Sequence, residues 1–481
     1  MKYDYDTAVI GAGPAGLVAS KLAAGLGKKT VLIEKEHIGG DCTWYGCVPS
    51  KTLIRSARAA HETRNLEKYG ITADIGRLDT SRVMDHVRQV VAADAASHTP
   101  DHIRAEGIDV IQGAAAFADD HTLLVNGGTV TAKKFILCTG TKPRIPDIPC
   151  IEQTPYLTTR SLFELDNLPE SLIVSGAGPI GMETAAALTR LGVRVTVLSR
   201  RGGILPKEDP ETARVLQALL EEEGVHILTR SSIKRLSREN GTVTAAIDRE
   251  GKEEQIRADA LLIATGRTPD LKGLKLENAG VSYDEKGVKV NRNLRTSASH
   301  VHAAGDIVPP YLFTHVAEYE AVVAATNSCI GLSVRSVDYR NVLWATYTDP
   351  ELARSGLTEQ EAREQAGDGI RVYRWPFSDV DRAKTDRNTE GFAKIITDRK
   401  GKILGVHILG HCAAELLHEV QAAKIMGKPF SRIAGMMHAY PSYSDAVRQP
   451  AKKCYIDLLN DRFPVRSFKS IKEKISKWTK D

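Results

Sequence analysis

Tyr5-Asp-Thr-Ala-Val-Ile10 runs directly into Gly11-Ala12-Gly13-Pro14-Ala15-Gly16, and Val31-Leu-Ile-Glu34 follows after a helical pattern through Ala24. Residues 5–10 read as a buried strand and residues 31–34 as a second one. Glycines at 11, 13 and 16 permit a tight turn and let a pyrophosphate approach the start of the helix, whose exposed N–H groups favour an anion. Glu34 stands 23 residues after Gly11, where an acid can hold a ribose hydroxyl pair. Strand, turn, helix and acid together predict a dinucleotide-binding βαβ unit at the head of an α/β chain.

The pattern returns 165 residues later. Ser171-Leu-Ile-Val-Ser-Gly176-Ala-Gly178-Pro179-Ile180-Gly181-Met-Glu183 is a second turn of the same kind, and its second strand is Val195-Thr-Val-Leu-Ser199. Two such turns predict two nucleotides, most simply a flavin and a nicotinamide. Ser199 occupies the offset that Glu34 holds in the first unit, and Arg200 and Arg201 follow it. An acid suited to an unphosphorylated ribose is missing. Two guanidinium groups suited to a 2′-phosphate stand in its place. This predicts NADPH, with NADH as the alternative and a solvated turn as the plain reading of the two arginines. Cys138-Thr139-Gly140 and Ala264-Thr-Gly266 end strands of the two halves, and Val301-His-Ala-Ala-Gly305-Asp306 reads as a strand that delivers a carboxylate to a flavin ribityl chain.

Between the two nucleotide turns lies Gly39-Gly40-Asp41-Cys42-Thr-Trp-Tyr-Gly-Cys47-Val-Pro-Ser-Lys51. A span of five is short enough for two thiols to close a disulfide if the turn is tight. Beside a flavin, such a pair stores two electrons that a substrate can collect by thiol–disulfide exchange. Without that neighbour it would read as a structural cystine or as two unrelated cysteines. Cys138, Cys150, Cys329, Cys412 and Cys454 read as buried small residues.

Bulk properties narrow the class. The 481 residues suffice for about three domains at roughly 100–200 residues each. Charged residues make up 26% and hydrophobic ones 42%, which excludes a disordered chain. No 18-residue apolar run or cleavable leader is evident, and seven cysteines in a long chain do not form a secreted framework, so a cytoplasmic protein is expected. The net charge of +5 resides in residues 462–481, which hold seven basic and two acidic side chains. The body is therefore neutral, and no nucleic-acid partner is expected. In that tail Phe463, Phe468, Ile471, Ile475 and Trp478 recur near helical spacing, a pattern suited to peripheral membrane contact or to docking on the protein's own body. His407, His411 and His418 read as residues of strand and turn rather than as a metal site. Asp349–Gly356 and Ile403–Gly410 read as sheet edges and turns.

With these motifs assembled, the chain resembles the flavoprotein disulfide reductases, also called class I pyridine nucleotide–disulfide oxidoreductases, over nearly all of residues 4–460. The resemblance implies an FAD domain (1–150 and 268–335), an NAD(P)H domain (151–267) and a dimerisation domain (336–461) that makes a homodimer. It implies that Cys47 contacts the flavin, that Cys42 exchanges with substrate, and that Lys51 lies near the flavin N5 and pairs with Glu183. It extends the expected flavin contacts to Lys35, Gly40, Asp41, Ala115, Thr139, Gly140, Gly305, Asp306, Thr314 and His315, and the nicotinamide contacts to Gly266.

One departure bears on the acceptor. Dihydrolipoamide dehydrogenases and glutathione reductases carry His-Pro near the C-terminus, with Glu five residues after the His. Here the stretch is His438-Ala-Tyr440-Pro-Ser-Tyr-Ser-Asp445. By the resemblance Tyr440 takes the base position and Asp445 the orienter position, while His438 falls two residues early. An ordinary tyrosine, with a pKa of about 10, is roughly 0.1% ionised at neutral pH, so it is a poor base and a good hydroxyl donor. Mercuric reductases also carry Tyr here. Their vicinal cysteine pair near the C-terminus and their N-terminal Cys-x-x-Cys domain have no counterpart in this sequence. The expectation is a mercuric-reductase-like enzyme passing electrons from NADPH through FAD and Cys42–Cys47 to a small disulfide, a thiol-reactive species or a metal ion. An NAD-linked dihydrolipoyl dehydrogenase is the first alternative. A non-enzymatic, membrane-associated redox sensor is the second.

Overall fold

A computed structural model describes residues 2–73, 76, 78–461, 468–473 and 475. The chain forms two compact units, one of residues 1–64, 74–200 and 226–338, the other of residues 65–73, 201–225 and 339–481.

In the first unit the strand Tyr5–Ile10 pairs in parallel with Thr30–Glu34 on one side and with Gly128–Leu137 on the other. All four residues Ala8, Val9, Leu32 and Ile136 are fully buried, as the apolar runs of a sheet covered on both faces require. Gly11 has φ +98°, and a side chain there would strike the Cys138 carbonyl at 2.4 Å; one at Gly16 would strike the Gly11 carbonyl at 1.7 Å. Only glycine lets the helix Pro14–Gly25 start this close to the sheet. The second turn repeats this arrangement, with Gly176 against Ala264 and Gly181 against Gly176, ahead of the helix Pro179–Arg190. Its parallel sheet runs His226–Leu228, Arg194–Leu198, Ser171–Ser175, Ala260–Ile263. The predicted strand Val301–Ala303 lies beside Gly128–Leu137.

The second unit is built on an antiparallel sheet in the order Leu343–Thr346, Glu351–Gly356, Ile403–Gly410, Phe392–Asp398, Ile370–Pro376. The reading of residues 349–356 and 403–410 as edges and turns is corrected here: Ile403–Gly410 is the central strand. Its six residues from Gly405 to Gly410 are all buried, and a strand packed on both faces lacks the polar alternation by which a half-exposed one is recognised. His407, fully buried on this strand, faces the Leu357 carbonyl through Nε2 at 2.9 Å.

Residues 207–211 are fastened to this sheet by charge. Lys394, whose side chain is 4% exposed, sits 3.1 Å from Asp209, 2.9 Å from Glu211 and 2.8 Å from Glu359. Arg354 donates to the Lys207 carbonyl, and Trp344 Nε1 donates to Glu208 Oε1 at 2.5 Å. Burying an ammonium is costly unless carboxylates surround it, and here three do.

Three of the cysteines read as buried are not: Cys150 is exposed, and Cys329 and Cys412 are partly so. Phe468–Glu473 and Ile475 are helical, with Phe468, Ile471 and Ile475 more than half exposed. Phe463 and Trp478 lie outside the described residues. Among the described residues no helix is long and apolar enough to cross a membrane.

Candidate redox-active site

Cys42 lies in the short helix Gly40–Trp44, and Cys47 begins the helix Cys47–Arg64. Neither sulfur is bonded to the other in this structure. The Thr314 hydroxyl, at the start of the helix Thr314–Ile330, stands 3.4 Å from each sulfur. The pair is electrically asymmetric. The hydrogen bond from Cys42, then the Thr314 hydroxyl and the Lys51 cation, hold Cys47 down to about 6 against the pull of burial. The same bond to Cys47, with burial, pushes Cys42 up. The asymmetry makes Cys42 the better holder of a proton and Cys47 the better thiolate.

Lys51 is one turn along from Cys47 and ion-pairs with Glu183 at 2.8 Å. Glu183 follows the second glycine turn and is only 9% exposed as a side chain, so the two nucleotide-binding halves meet in this contact. Replacing Lys51 by Met is expected to move the Cys47 midpoint from about 6 toward the ordinary thiol range near 8.5. The pH dependence of iodoacetamide labelling at Cys47, read by mass spectrometry on the reduced protein, measures it. An unmoved midpoint would remove Lys51 from the account.

Asp41, just before Cys42, is gripped by two arginines that the sequence reading missed. Arg160 reaches it at 3.1 Å, and Arg267 pairs with its other oxygen. Arg160 also binds Glu36 at 2.8 Å and lies 4.8 Å over the Tyr45 ring, between the two cysteines. Arg267 Nε donates to the Thr141 hydroxyl at 2.6 Å, which donates to Asp306 at 3.0 Å. A continuous polar chain thus links the cysteine loop to Asp306, whose carboxyl burial pushes up. The Arg that follows Gly266 was the available signal; Arg160 offered none, being isolated in sequence.

The remaining predicted residues fall as follows. Glu34 accepts from the Ala12 N–H at 2.6 Å and from the Glu36 N–H at 2.7 Å. Lys35 pairs with Asp270, and the Thr139 hydroxyl donates to the Asp270 carbonyl at 3.1 Å. The Gly305 N–H donates to Glu320 at 2.8 Å, Ala115 is buried in the strand Ala115–Phe117, and His315 stacks on Phe313. Ser199 is buried, whereas Arg200 and Arg201 are exposed. FAD and a nicotinamide fit these turns on one observation. Added side chains at Gly13 and Gly178 would meet nothing within 4 Å, so each helix start opens on clear space. A pyrophosphate placed there would be met by N–H groups.

In the other unit Tyr440 is 68% exposed and donates to Asp381 Oδ2 at 2.9 Å. Asp445, the sequence's orienter, instead pairs with Arg448 at 2.9 Å. His438 faces Glu419 at 2.7 Å through Nε2 and the Met436 carbonyl at 3.0 Å through Nδ1. Both ring nitrogens of His438 are therefore engaged with neighbours of its own unit.

Residues 5–327 match the family described as pyridine nucleotide-disulphide oxidoreductase, and residues 342–451 match its dimerisation domain. A mercuric reductase of Staphylococcus aureus is 32% identical over 450 residues, which is 93% of this chain and 82% of the relative. A dihydrolipoyl dehydrogenase of Haloferax volcanii is 35% identical over 458 residues, 92% of this chain and 95% of the relative. Among solved structures, the HOCl-induced flavoprotein disulfide reductase RclA from Escherichia coli superposes with a TM-score of 0.84 at 30% identity, covering 93% of this chain and 99% of that one. Its Cu(II) complex gives 0.83 at 29% identity. Two glycine turns, an asymmetric cysteine pair and a dimerisation domain thus come with matches spanning almost the whole chain, and the protein belongs to the class I flavoprotein disulfide reductases, enzymes that work with FAD and NAD(P)H.

Proposed function

We propose that this enzyme takes electrons from NADPH, holds them on Cys42 and Cys47, and delivers them to a metal ion or a thiol-reactive small molecule as a homodimer. When bound, FAD and the nicotinamide supply the hydride chemistry. The chain's own part is to hold a thiolate at Cys47, to keep the exchanging proton on Cys42, and to set Lys51 and Glu183 beside them. The observation that carries the choice of acceptor is Tyr440. Its phenol proton is committed to Asp381, and both nitrogens of the neighbouring His438 are engaged with Glu419 and the Met436 carbonyl, so neither side chain is held free toward a dithiol substrate. A metal ion needs no base. The similar proteins named mercuric reductase, and the Cu(II) complex of RclA, support that class of acceptor. The exposed Arg200 and Arg201, with no acid at Ser199, support NADPH over NADH.

Purified holoenzyme assayed for NADPH and NADH consumption with Hg(II) in excess thiol, with Cu(II), and with oxidised lipoamide tests this. Turnover with a metal ion and little with lipoamide is expected, at a higher kcat/KM for NADPH. Tyr440→His is expected to raise lipoamide turnover, by up to the 10²–10⁴-fold or so that a placed acid–base group contributes. Rapid lipoamide turnover by the wild type would overturn the reading.

A further inference from the structure

Helix Asp381–Asp386 carries an acid at each end, and each takes a tyrosine from the turn that follows His438. Tyr440 donates to Asp381 Oδ2 at 2.9 Å, and Tyr443 donates to Asp386 Oδ2 at 3.0 Å. A base flanks each acid: Lys384 lies 3.1 Å from Asp381 Oδ1, and Arg382 lies 2.8 Å from Asp386. Both carboxylates are thereby kept ionised and oriented, and both are held below the usual carboxylate range, Asp381 by Lys384 and then Tyr440.

We propose that Asp381, not Asp445, is the residue that positions the Tyr440 phenol, and that it leaves the phenol oxygen as an acceptor facing outward. The proposal deepens the metal-ion reading and rests on it for the role of Tyr440. Asp445 has its own occupation: its side chain is 10% exposed and engaged with Arg448 and, at 3.5 Å, with Gln449. A phenol has one hydrogen, and here it is given to Asp381. What remains on the exposed side is two lone pairs, made more electron-rich by the carboxylate behind them. Such an oxygen meets a cation or a hydrogen-bond donor. It cannot donate to an anionic or carbonyl acceptor, so the sequence expectation of a hydroxyl donor at Tyr440 is revised. The substrate class this favours is a metal cation, bare or thiol-coordinated, or a protonated thiol. The Tyr440 phenol is accordingly harder to ionise than usual, first because of the bond to Asp381, with Asp445 a lesser contributor.

The test uses full-length holoenzyme and the variants Asp381→Asn, Asp445→Asn and Tyr440→Phe. Ultraviolet titration, with the Tyr440→Phe protein subtracted in each background, isolates the phenolate of Tyr440. In Asp381→Asn its midpoint is expected to fall toward the ordinary tyrosine value of about 10. Asp445→Asn is expected to shift it less. An unmoved midpoint in Asp381→Asn, or an equal shift in Asp445→Asn, overturns the proposal. Turnover with Hg(II) in excess thiol is the second readout. A drop in kcat/KM shared by Asp381→Asn and Tyr440→Phe, partly restored in Asp381→Glu, supports a positioning role in the reaction. If the phenolate shifts while turnover stays, Asp381 still positions Tyr440, and it is the reading of Tyr440 as an acceptor-site group that falls.

Discussion

Cys42→Ser is expected to abolish acceptor reduction, lowering NADPH-dependent turnover with any acceptor by at least about a thousandfold, the scale on which loss of a nucleophile is felt. The reason lies in the asymmetry of the pair. With Cys47 at about 6, roughly nine in ten of these sulfurs are thiolate at pH 7, against a few per cent of an ordinary thiol. Cys42 is pushed the other way, so in the reduced enzyme it carries the proton and Cys47 the charge. A serine at 42 still offers a hydroxyl to Cys47, which keeps much of that thiolate character. It cannot form the bond in which two electrons are stored, nor a mixed disulfide or metal thiolate with the acceptor. The variant should therefore keep its flavin and be bleached by NADPH at close to the wild-type rate, yet fail to pass electrons on. Flavin absorbance after mixing with NADPH, followed by steady-state NADPH oxidation, separates the two halves. A variant that retained a tenth of wild-type turnover would show electrons leaving the enzyme without the pair, and the central assignment of this site would be lost.

What the sequence could reveal divides along a physical line. Gly11, Gly16, Gly176 and Gly181 are legible because steric contacts of 2.4 Å or less leave no substitute, so the chain order of glycines encodes the turn itself. Cys42, Cys47 and Lys51 are legible because their relation is local, within one loop and one helical turn. Arg160 and Asp381 are not. Each acts on a residue 119 or 59 positions away, through a side chain that in sequence resembles any solvated charge. The choice of Asp445 over Asp381 has the same origin. A fixed offset of five after Tyr440 suggested the partner, but the turn at Pro441 aims the phenol at a different helix. The central strand Ile403–Gly410 was misread for the opposite reason, since complete burial erases the alternation on which strand recognition depends.

Glu208→Gln carries the largest expected effect on stability, with a sign fixed by burial. Glu208 is 6% exposed; Trp344 binds one oxygen, and among the described residues the other has no hydrogen-bond partner. Burial pushes its carboxyl up to about 7 from 4.5, with Trp344 and Arg354 opposing only in part. Below pH 4.5 the group is protonated in both states and contributes nothing. Between about 4.5 and 7 the unfolded chain gives up the proton while the folded chain retains it, so stability falls as pH rises. Above 7 the full cost is present, on the order of 3 kcal/mol for a shift of this size. Glutamine keeps an acceptor for Trp344 and has no charge to bury. The variant should match the wild type near pH 4.5, gain on it steadily, and exceed it by about 2–3 kcal/mol at pH 8 in urea unfolding. Asp209 and its neighbours titrate in both proteins and cancel in the difference, so the gap reports Glu208 alone. A gap that stayed constant with pH would mean that the carboxylate is already ionised and solvated when folded. A gap opening the other way would mean that Arg354, not burial, governs it.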